Sequence, residues 1–392
     1  MSEWQNFKLR EVGTLQRGRS RHRPRYAFHL FNGPYPFIQT GEVREARKYV
    51  STFENTYSEA GLAQSKLWPK GTLCITIAAN IAELAILGFD ACFPDSVLGF
   101  IPDETRSDLD FVYYTLTHFQ KQLKHIGEGS VQDNINLGTF EDIEFPFPSL
   151  TEQKAIASVL SSLDDKIDLL HRQNKTLEAM AETLFRQWFI EEAKEDWEGF
   201  SVSDIAIHVK DNVNPSKDPL KTFYHFSLPA FDSGQKPTSE LGSEILSNKY
   251  RVSKNSILVS KLNPRVPRIW LVSNVEANYV CSTEFQNLKP KVIAHLMFLY
   301  SLFNSRDVID ELTMSASGTS GSHQRVKPED MLNITFRTPS LDYLEQYSSL
   351  IAPSMQKVAS NKQQIQTLEN LRDTLLPKLM SGEVRVQNQT EE

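Results

Sequence analysis

The stretch TLEAMAETLF (residues 176–185) returns as TLENLRDTLL (residues 367–376), 191 positions later, with five of ten residues identical and Glu182 replaced by Asp373. The first copy lies in a run whose apolar residues fall 4 and 3 apart: Ile156, Leu160, Leu163, Ile167, Leu170, Leu177, Ala181, Leu184 and Trp188, with Asn174 in the one gap. Apolar residues alternating in this way over more than four heptads mark a helix that presents a seam to another helix. Pro148 and Ser149 precede the run, and Ser149-Leu-Thr-Glu152 has the spacing of a capping box. The helix is expected to fade near Glu191 and Glu192, before Gly199.

Shifting the seam by 191 gives Tyr347, Ile351, Ser354, Val358, Asn361, Ile365, Leu368, Arg372, Leu375 and Leu379, a weaker seam with the same spacing. Pro339-Ser340-Leu341 repeats Pro148-Ser149-Leu150 at the same offset. Pro353 stands where the first copy has Ser162, and Pro377 where it has Arg186. Proline removes a helix hydrogen bond and clashes with the preceding turn, so a kink or restart is expected at Pro353 and an earlier end near Pro377. Asn174 and Asn361 are polar seam positions expected to set register by pairing across the helices.

A mixed block precedes each helix. Residues 71–77 and 255–260 read as buried strands bounded by turn residues, and residues 109–126 and 293–312 as helices. Small-residue loops follow at 127–130 and 315–322, then Phe140-Glu-Asp-Ile143 and Pro328-Glu-Asp-Met331. The chain is therefore a tandem duplication: block (1–147), helix (148–198), block (199–338), helix (339–386) and a tail (387–392). Two seams joined by a block of some 150 residues can pair antiparallel, with the blocks at opposite ends of a pseudo-two-fold rod. A 40-residue helix is about 60 Å long, so two such blocks can address sites a DNA turn of about 34 Å or more apart.

The 392 residues suffice for two or three domains, and a hydrophobic content of 40% is that of a globular protein. No apolar run reaches the roughly 18 residues of a membrane span. MSEWQNFKLREVG has no signal-peptide core, and Cys74, Cys92 and Cys281 form no metal or disulfide pattern, so a cytoplasmic protein with no membrane role is expected. Net charge is −7, but Lys and Arg number 6 against 11 Asp and Glu in residues 151–198, and 16 against 13 in residues 199–340. The acidic excess thus leans toward the helices and leaves the blocks free to meet a polyanion.

Several loops carry side chains suited to DNA. QRGRSRHRPRY (residues 16–26) places Arg17, Arg19, Arg21, Arg23 and Arg25 at alternate positions among Gly, Ser and Pro. Arginine in such a loop can contact phosphates or read guanine with both guanidinium edges. The second block has Lys261, Arg265 and Arg268 in a proline-stiffened turn, then His323, Gln324, Arg325 and Lys327; the first has Asn80, Gln132, Asn134 and Asn136. Asn and Gln suit adenine as Arg and Lys suit guanine. The arginine loop favours DNA contact over a plain solvated loop; each of the others taken singly reads equally well as an ordinary polar loop, and their recurrence at corresponding places in both copies favours DNA.

Catalytic signatures are missing from the sequence. It contains no GxxxxGK[ST], no glycine-rich dinucleotide or S-adenosylmethionine fingerprint, and no Asn-Pro-Pro-aromatic stretch; Asn263-Pro-Arg-Val-Pro is the nearest. Pro94-Asp95 and Pro102-Asp103 lack a nearby Asp/Glu-x-Lys, and the histidines lack metal-ligand spacing. The chain is expected to recognise rather than catalyse. A methyltransferase or nuclease with an unrecognised site is the alternative, and a scaffold with two interaction domains a third reading.

Residues 148–189 and 367–386 resemble the central and C-terminal helices of the specificity (S) subunits of type I restriction-modification systems, through Leu163-Asp-Asp-Lys-Ile167, Asn174, Leu177-Glu178, Leu184-Phe185, Trp188-Phe189 and the ending Leu-Leu-Pro-Lys-Leu-Met-Ser-Gly-Glu. The resemblance spans the full length in order. It implies an α+β protein: two similar mixed α/β target recognition domains separated by two long helices that form an antiparallel coiled coil. It further implies that each domain reads one half of a bipartite site on double-stranded DNA. The helices would set the spacer and dock two methylating (M) subunits. No cofactor would belong to this chain: S-adenosylmethionine would come with the M subunits, and ATP and Mg with motor/nuclease (R) subunits.

Overall fold

A computed structural model describes residues 4–78, 81–128, 143–316 and 324–386. The chain divides into two compact units, Met1–Leu170 with Gln363–Glu392, and His171–Lys362. Both long helices contribute to both units: the central helix is Leu150–Arg186, with a π turn at Gln187–Glu191, and the C-terminal helix is Leu341–Met380. No helix among the described residues is long and apolar enough to cross a membrane.

In the first unit a five-stranded sheet runs in the order Gly13–Arg17, Val97–Pro102, Leu73–Thr76, Leu84–Leu87, Tyr49–Val50. The first four strands pair antiparallel and the last joins parallel. A second sheet orders Asn55–Tyr57, Phe31–Phe37, Ala91–Cys92, Leu67–Trp68. The second unit repeats the four antiparallel strands as Ala206–His208, Phe285–Pro290, Ser256–Ser260, Ile269–Val272. Its other sheet has five strands, in which Thr222–Phe226 pairs parallel with Tyr279–Cys281, as Phe31–Phe37 does with Ala91–Cys92.

The duplication reaches the turns. Gly71 and Asn255 both adopt positive φ (84° and 54°) just before the fully buried strands Leu73–Thr76 and Ser256–Ser260. Glycine and asparagine tolerate that conformation best, which explains the K-G-T and K-N-S starts. A further echo is WQNFKLREV (residues 4–12) against WEGFSVSDI (residues 197–205). Gln5–Lys8 pairs antiparallel with Glu144–Phe147, and Glu198–Ser201 with Thr335–Thr338, so each pair brings its block's start against the strand that leads into a long helix.

Three sequence expectations need correction. The C-terminal helix neither restarts at Pro353 nor stops before Pro377; it is one 40-residue helix. Pro353 is solvent-exposed while Ile351 and Met355 on either side are buried, so packing offsets the lost hydrogen bond. At the seam itself Met355, not Ser354, is the buried residue, being 3% exposed. Finally, the helix expected over 293–312 is a 3-10 turn, Ile293–His295, followed by Leu296–Asn304 and Arg306–Ser315. Ser305 breaks it with an extended backbone (ψ 146°), its hydroxyl donating to the Leu302 carbonyl at 2.7 Å.

The helices pair antiparallel inside each unit. In the first, Ile167 and Leu170 pack on Ile365 and Leu368, and Leu160, Leu375 and Leu379 join the core under Phe111 and Phe147. In the second, Ala181, Phe185, Leu177 and Leu184 pack with Tyr347, Ile351, Met355 and Val358. Asn361 Nδ2 donates to Asn174 Oδ1 at 2.8 Å, with Asn361 fully buried and Asn174 nearly so. Leu163 is half-buried, Ile156 is buried, and Trp188 packs against Tyr343 with the rings tilted by 33° and centroids 4.8 Å apart.

The outward face of the duplicated phrase is repeated as well. Thr176 and Thr367 donate to the carbonyls of Arg172 and Gln363, and Thr183 and Thr374 to those of Ala179 and Asn370. All four hydroxyls are thus satisfied four residues back along their own helix. Met180 and Leu371, 191 apart, are both exposed, at 51% and 44%.

Candidate nucleic-acid interface

In the first unit the arginine segment leaves the strand Gly13–Arg17 and stays close to the second sheet. The Gly18 and Arg19 amides donate to the Val97 and Phe93 carbonyls at 2.8 and 2.9 Å. A Cβ at Gly18 would come within 2.2 Å of the Pro94 carbonyl oxygen, so only glycine fits this crossing. The Gln64 side-chain oxygen accepts from the Arg21 and His22 amides at 2.6 and 3.0 Å, and Ser65 Oγ donates to the Arg19 carbonyl at 2.7 Å.

The five arginines then separate into two kinds. Arg23 folds back onto the Ser20 and His22 carbonyls at 2.9 and 2.8 Å, and Arg25 pairs with Asp95 at 2.8 Å. Their guanidinium groups hold the loop. Arg17 and Arg21 are exposed, and neither they nor Arg19 has a side-chain partner among the described residues. Behind the loop, Ser20, Arg25, Tyr26, Phe37, Gln39 and Tyr57 line part of a cavity of about 250 Å³. Asn80, Gln132, Asn134 and Asn136 lie outside the described residues.

The second unit brings two distant segments together. Leu262 and Arg325 form an antiparallel bridge; the Asn263 amide donates to the Gln324 carbonyl at 2.9 Å, and the Val326 amide to the Lys261 carbonyl at 2.9 Å. Residues 261–268 and 324–327 therefore share one surface. Arg268 binds both oxygens of Asp232 at 2.7 and 2.8 Å, and these hydrogen bonds raise its pKa above the usual arginine range. Arg325 pairs with Glu284 at 3.2 Å. Arg265 and Lys327 are exposed. The Gln324 side-chain oxygen is buried without a partner among the described residues. His323 lies outside the described residues.

Two contributors escaped the sequence reading. Burial pulls the Lys261 ammonium below its usual pKa; Glu284 opposes this, while Lys210 and Arg325 add to it. The positive charges of Lys210, Lys261 and Arg325 are thus close enough to feel one another, a concentration of charge that suits an anion. His208 completes the group: burial, then Lys210 and Lys261, push its pKa down to about 4. Strand register assigns these positions. Leu15 opposes Phe100 and His208 opposes Leu288 on corresponding strands, so Lys210 stands where the first unit has Arg17. The echo of residues 4–12 in 197–205, an offset of 193, carries the same assignment five residues further along.

Among the described residues no group of three or more His, Cys, Asp or Glu is placed to hold a metal ion. Cys74, Cys92 and Cys281 are buried, and burial pushes the Cys92 and Cys281 thiols up to about 11 and about 12, which leaves them protonated and unreactive.

The family described as "Type I restriction modification DNA specificity domain" matches the chain twice, over residues 1–179 and 194–370. The type I restriction enzyme MjaIX specificity subunit of Methanocaldococcus jannaschii is 26% identical, across 98% of this chain and 94% of that protein. The EcoDI specificity subunit of Escherichia coli is 21% identical, across 91% and 84%. The crystal structure of a type I restriction-modification S subunit from M. genitalium shares the fold, with a TM-score of 0.66 over 96% of both chains at 17% identity.

Proposed function

The chain belongs to the type I restriction-modification DNA specificity family, and from that premise we propose that it is the sequence-reading subunit of such a complex. Each unit reads one half of a bipartite site on duplex DNA, and the helix pair sets the gap between the halves. The observation that carries this reading is the double family match, one copy for each block. The chain recognises DNA and does not itself cut or methylate it; cofactors belong to partner subunits. We assign S-adenosylmethionine to two methylating subunits, and ATP and Mg to motor/nuclease subunits, all in the cytoplasm.

The reading surfaces we propose are the 17–25 segment of the first unit, with Arg17, Arg19 and Arg21 as its contacting arginines, and the paired 261–268 and 324–327 segments of the second, with Lys210 added. Uncommitted arginines and lysines supply phosphate contacts, and release of counterions makes binding steeply salt-dependent. Asn80, Gln132, Asn134, Asn136 and His323 stay in the proposal as base-reading candidates on sequence grounds. Met180 and Leu371 occupy equivalent places on the two helices, and we assign them to the docking of the two methylating subunits. An exposed apolar residue repeated on both copies suits two copies of one partner.

The test is co-expression with a methylating partner followed by sequencing of methylated adenines. A two-part motif with a fixed gap is expected. Exchanging residues 1–150 for the corresponding block of a relative should change one half of the motif only. A change in both halves, or in neither, would refute the modular reading.

A further inference from the structure

The arginine segment ends in two large rings that nothing covers. Tyr26 is 75% exposed and Phe28 84%, while Leu30, two residues on, is 2% exposed and anchors the segment in the core. Exposed aromatic rings cost solvation, and rigid ones are usually spent on a partner. The backbone beneath the rings is hydrogen-bonded. The Ala27 amide donates to the Pro24 carbonyl, the Leu30 amide to the Ala27 carbonyl, and the Ser58 amide to the Leu30 carbonyl. Ser58 Oγ donates to the His29 carbonyl at 2.7 Å, and the His22 and His29 rings meet edge to face at 4.9 Å. Arg23 and Arg25 are consumed in this scaffold, so the rings project from a preformed platform flanked by the uncommitted Arg17 and Arg21.

The second unit has a counterpart. Phe37 is paired with Cys92 on parallel strands, and Phe226 with Cys281, which makes the segment before Phe31–Phe37 equivalent to the segment before Thr222–Phe226. There Leu220 is 89% exposed, between exposed Lys217 and Lys221. By this register Leu220 falls at the place of Phe31 rather than of Tyr26 or Phe28, so each unit presents an exposed apolar side chain close to the start of the corresponding strand, in the second unit beside Lys217, Asp218 and Lys221.

We propose that these side chains are wedges: Tyr26 and Phe28 in the first unit, and Leu220 in the second, enter the base stack of duplex DNA at each half-site. The inference rests on the DNA-reading role proposed above. An apolar ring or leucine between base pairs partly unstacks them and kinks the duplex, at a cost that depends on the step being opened. Steps that unstack easily are then preferred, so the wedges contribute specificity without a hydrogen bond to any base. Basic neighbours make duplex DNA, a polyanion with an apolar interior, the occupant that fits.

The experiment uses the full chain assembled with its methylating partner and a duplex that carries the methylated motif. 2-Aminopurine is placed in turn at each position of both halves, and its fluorescence is read on binding. Wild type should brighten at one or two steps in each half, counted apart from the target adenines, which a methylating enzyme turns out of the stack by itself. Tyr26→Ala with Phe28→Ala should abolish the signal in one half and Leu220→Ala in the other, each weakening binding by roughly tenfold or more, with unchanged thermal unfolding because the side chains are exposed. Specific binding with no brightening outside the target adenines overturns the wedge and leaves the DNA-reading role standing. No specific binding in any assembly overturns that role instead. If the variants lose the methylating partner while the assembled remainder binds DNA normally, the rings are a protein contact and the wedge is wrong.

Discussion

Two positions separate the helix pairs of the two units. In the first unit Asp164 accepts from Arg372 at 2.8 Å and from the Tyr114 hydroxyl at 2.6 Å. Counted 191 residues along, the same places in the second unit hold Met355 and Ala181, both in the apolar core. There Tyr347 supplies the polar contact, donating to the Ala181 carbonyl at 3.1 Å and lying 2.9 Å from Ser301 Oγ. One spacing of seam residues therefore accommodates a charged bridge or an apolar filling. The charged bridge needs a supporting network, because a half-buried ion pair recovers its desolvation cost only when its other hydrogen bonds are made. Burial disfavours the Arg372 cation, but the hydrogen bonds and charges of Asp164 and then Asp373 outweigh that, and its pKa is raised. Lys48, buried and 3.0 Å from Asp110, extends the network through Ser161 at 2.8 Å and ties the first block to the central helix. The lesson is that the duplicated halves are alike in backbone and distinct in chemistry, which labels each half for its own partner.

The strongest way to break that comparison is Asp164→Ala, which strands Arg372 and the Tyr114 hydroxyl. A loss of about 2–4 kcal/mol is expected in denaturant unfolding of the first unit. Converting the first unit to an apolar filling, Asp164→Met with Arg372→Ala and with Tyr114→Phe so that no buried hydroxyl is stranded, should land within about 1 kcal/mol of wild type; a loss as large as that of the single change would show that the charges stabilise rather than label. Met355→Ala in the second unit removes buried apolar volume and should cost about 2 kcal/mol. Asn361→Ala leaves Asn174 without its partner in a buried seam, an expected cost of about 1–2 kcal/mol. The double change to valine should recover stability but loosen register, to be read by cysteine cross-linking along the two helices.

Acid sharpens the contrast between Leu15, buried and uncharged, and His208. The folded His208 pKa of about 4 lies below its ordinary 6.5, so above pH 6.5 both folded and unfolded states hold it neutral and it costs nothing. As pH falls from about 6.5 toward 4 the unfolded chain takes the proton first, and stability is lost. His208→Leu should flatten the acid limb of the second unit's stability curve over that window; an unchanged slope would place the titration elsewhere. The smallest effect on stability belongs to Met180→Ala and Leu371→Ala. Each should stay within about 0.5 kcal/mol, because the side chains are exposed, yet each should reduce co-purification of the methylating partner.

Legibility followed the range of the interactions. The heptads, the Pro-Ser-Leu starts and the two buried strands were readable because their causes lie within a few residues. Even the Asn174–Asn361 pair was foreseeable, since a polar residue in a long apolar seam needs a partner and the repeat offered one. Pro353 misled because local preference was overruled: Ile351 and Met355 hold the helix from both sides while the ring faces water. Lys48 was silent because its partners, Asp110, Ser161 and Tyr114, come from two other helices. Lys210 and His208 were missed because only strand register sets them beside Lys261 and Arg325. Among the arginines, alternation in sequence gave five equal candidates; hydrogen bonding committed Arg23 and Arg25 as structural ties, exposed though they are, and left Arg17 and Arg21 uncommitted.

By itself the sequence determined the duplication, the two long helices, their seams and the expectation of a DNA-reading subunit. Period and offset are properties of one dimension, and a seam of 4 and 3 spacing admits few other solutions. Tertiary structure alone decided which charges face inward, which polar groups close a network and which rings stand clear of the core. Those outcomes depend on pairings across strands and helices whose sequence separations, from about 60 to over 200 residues, no local pattern encodes.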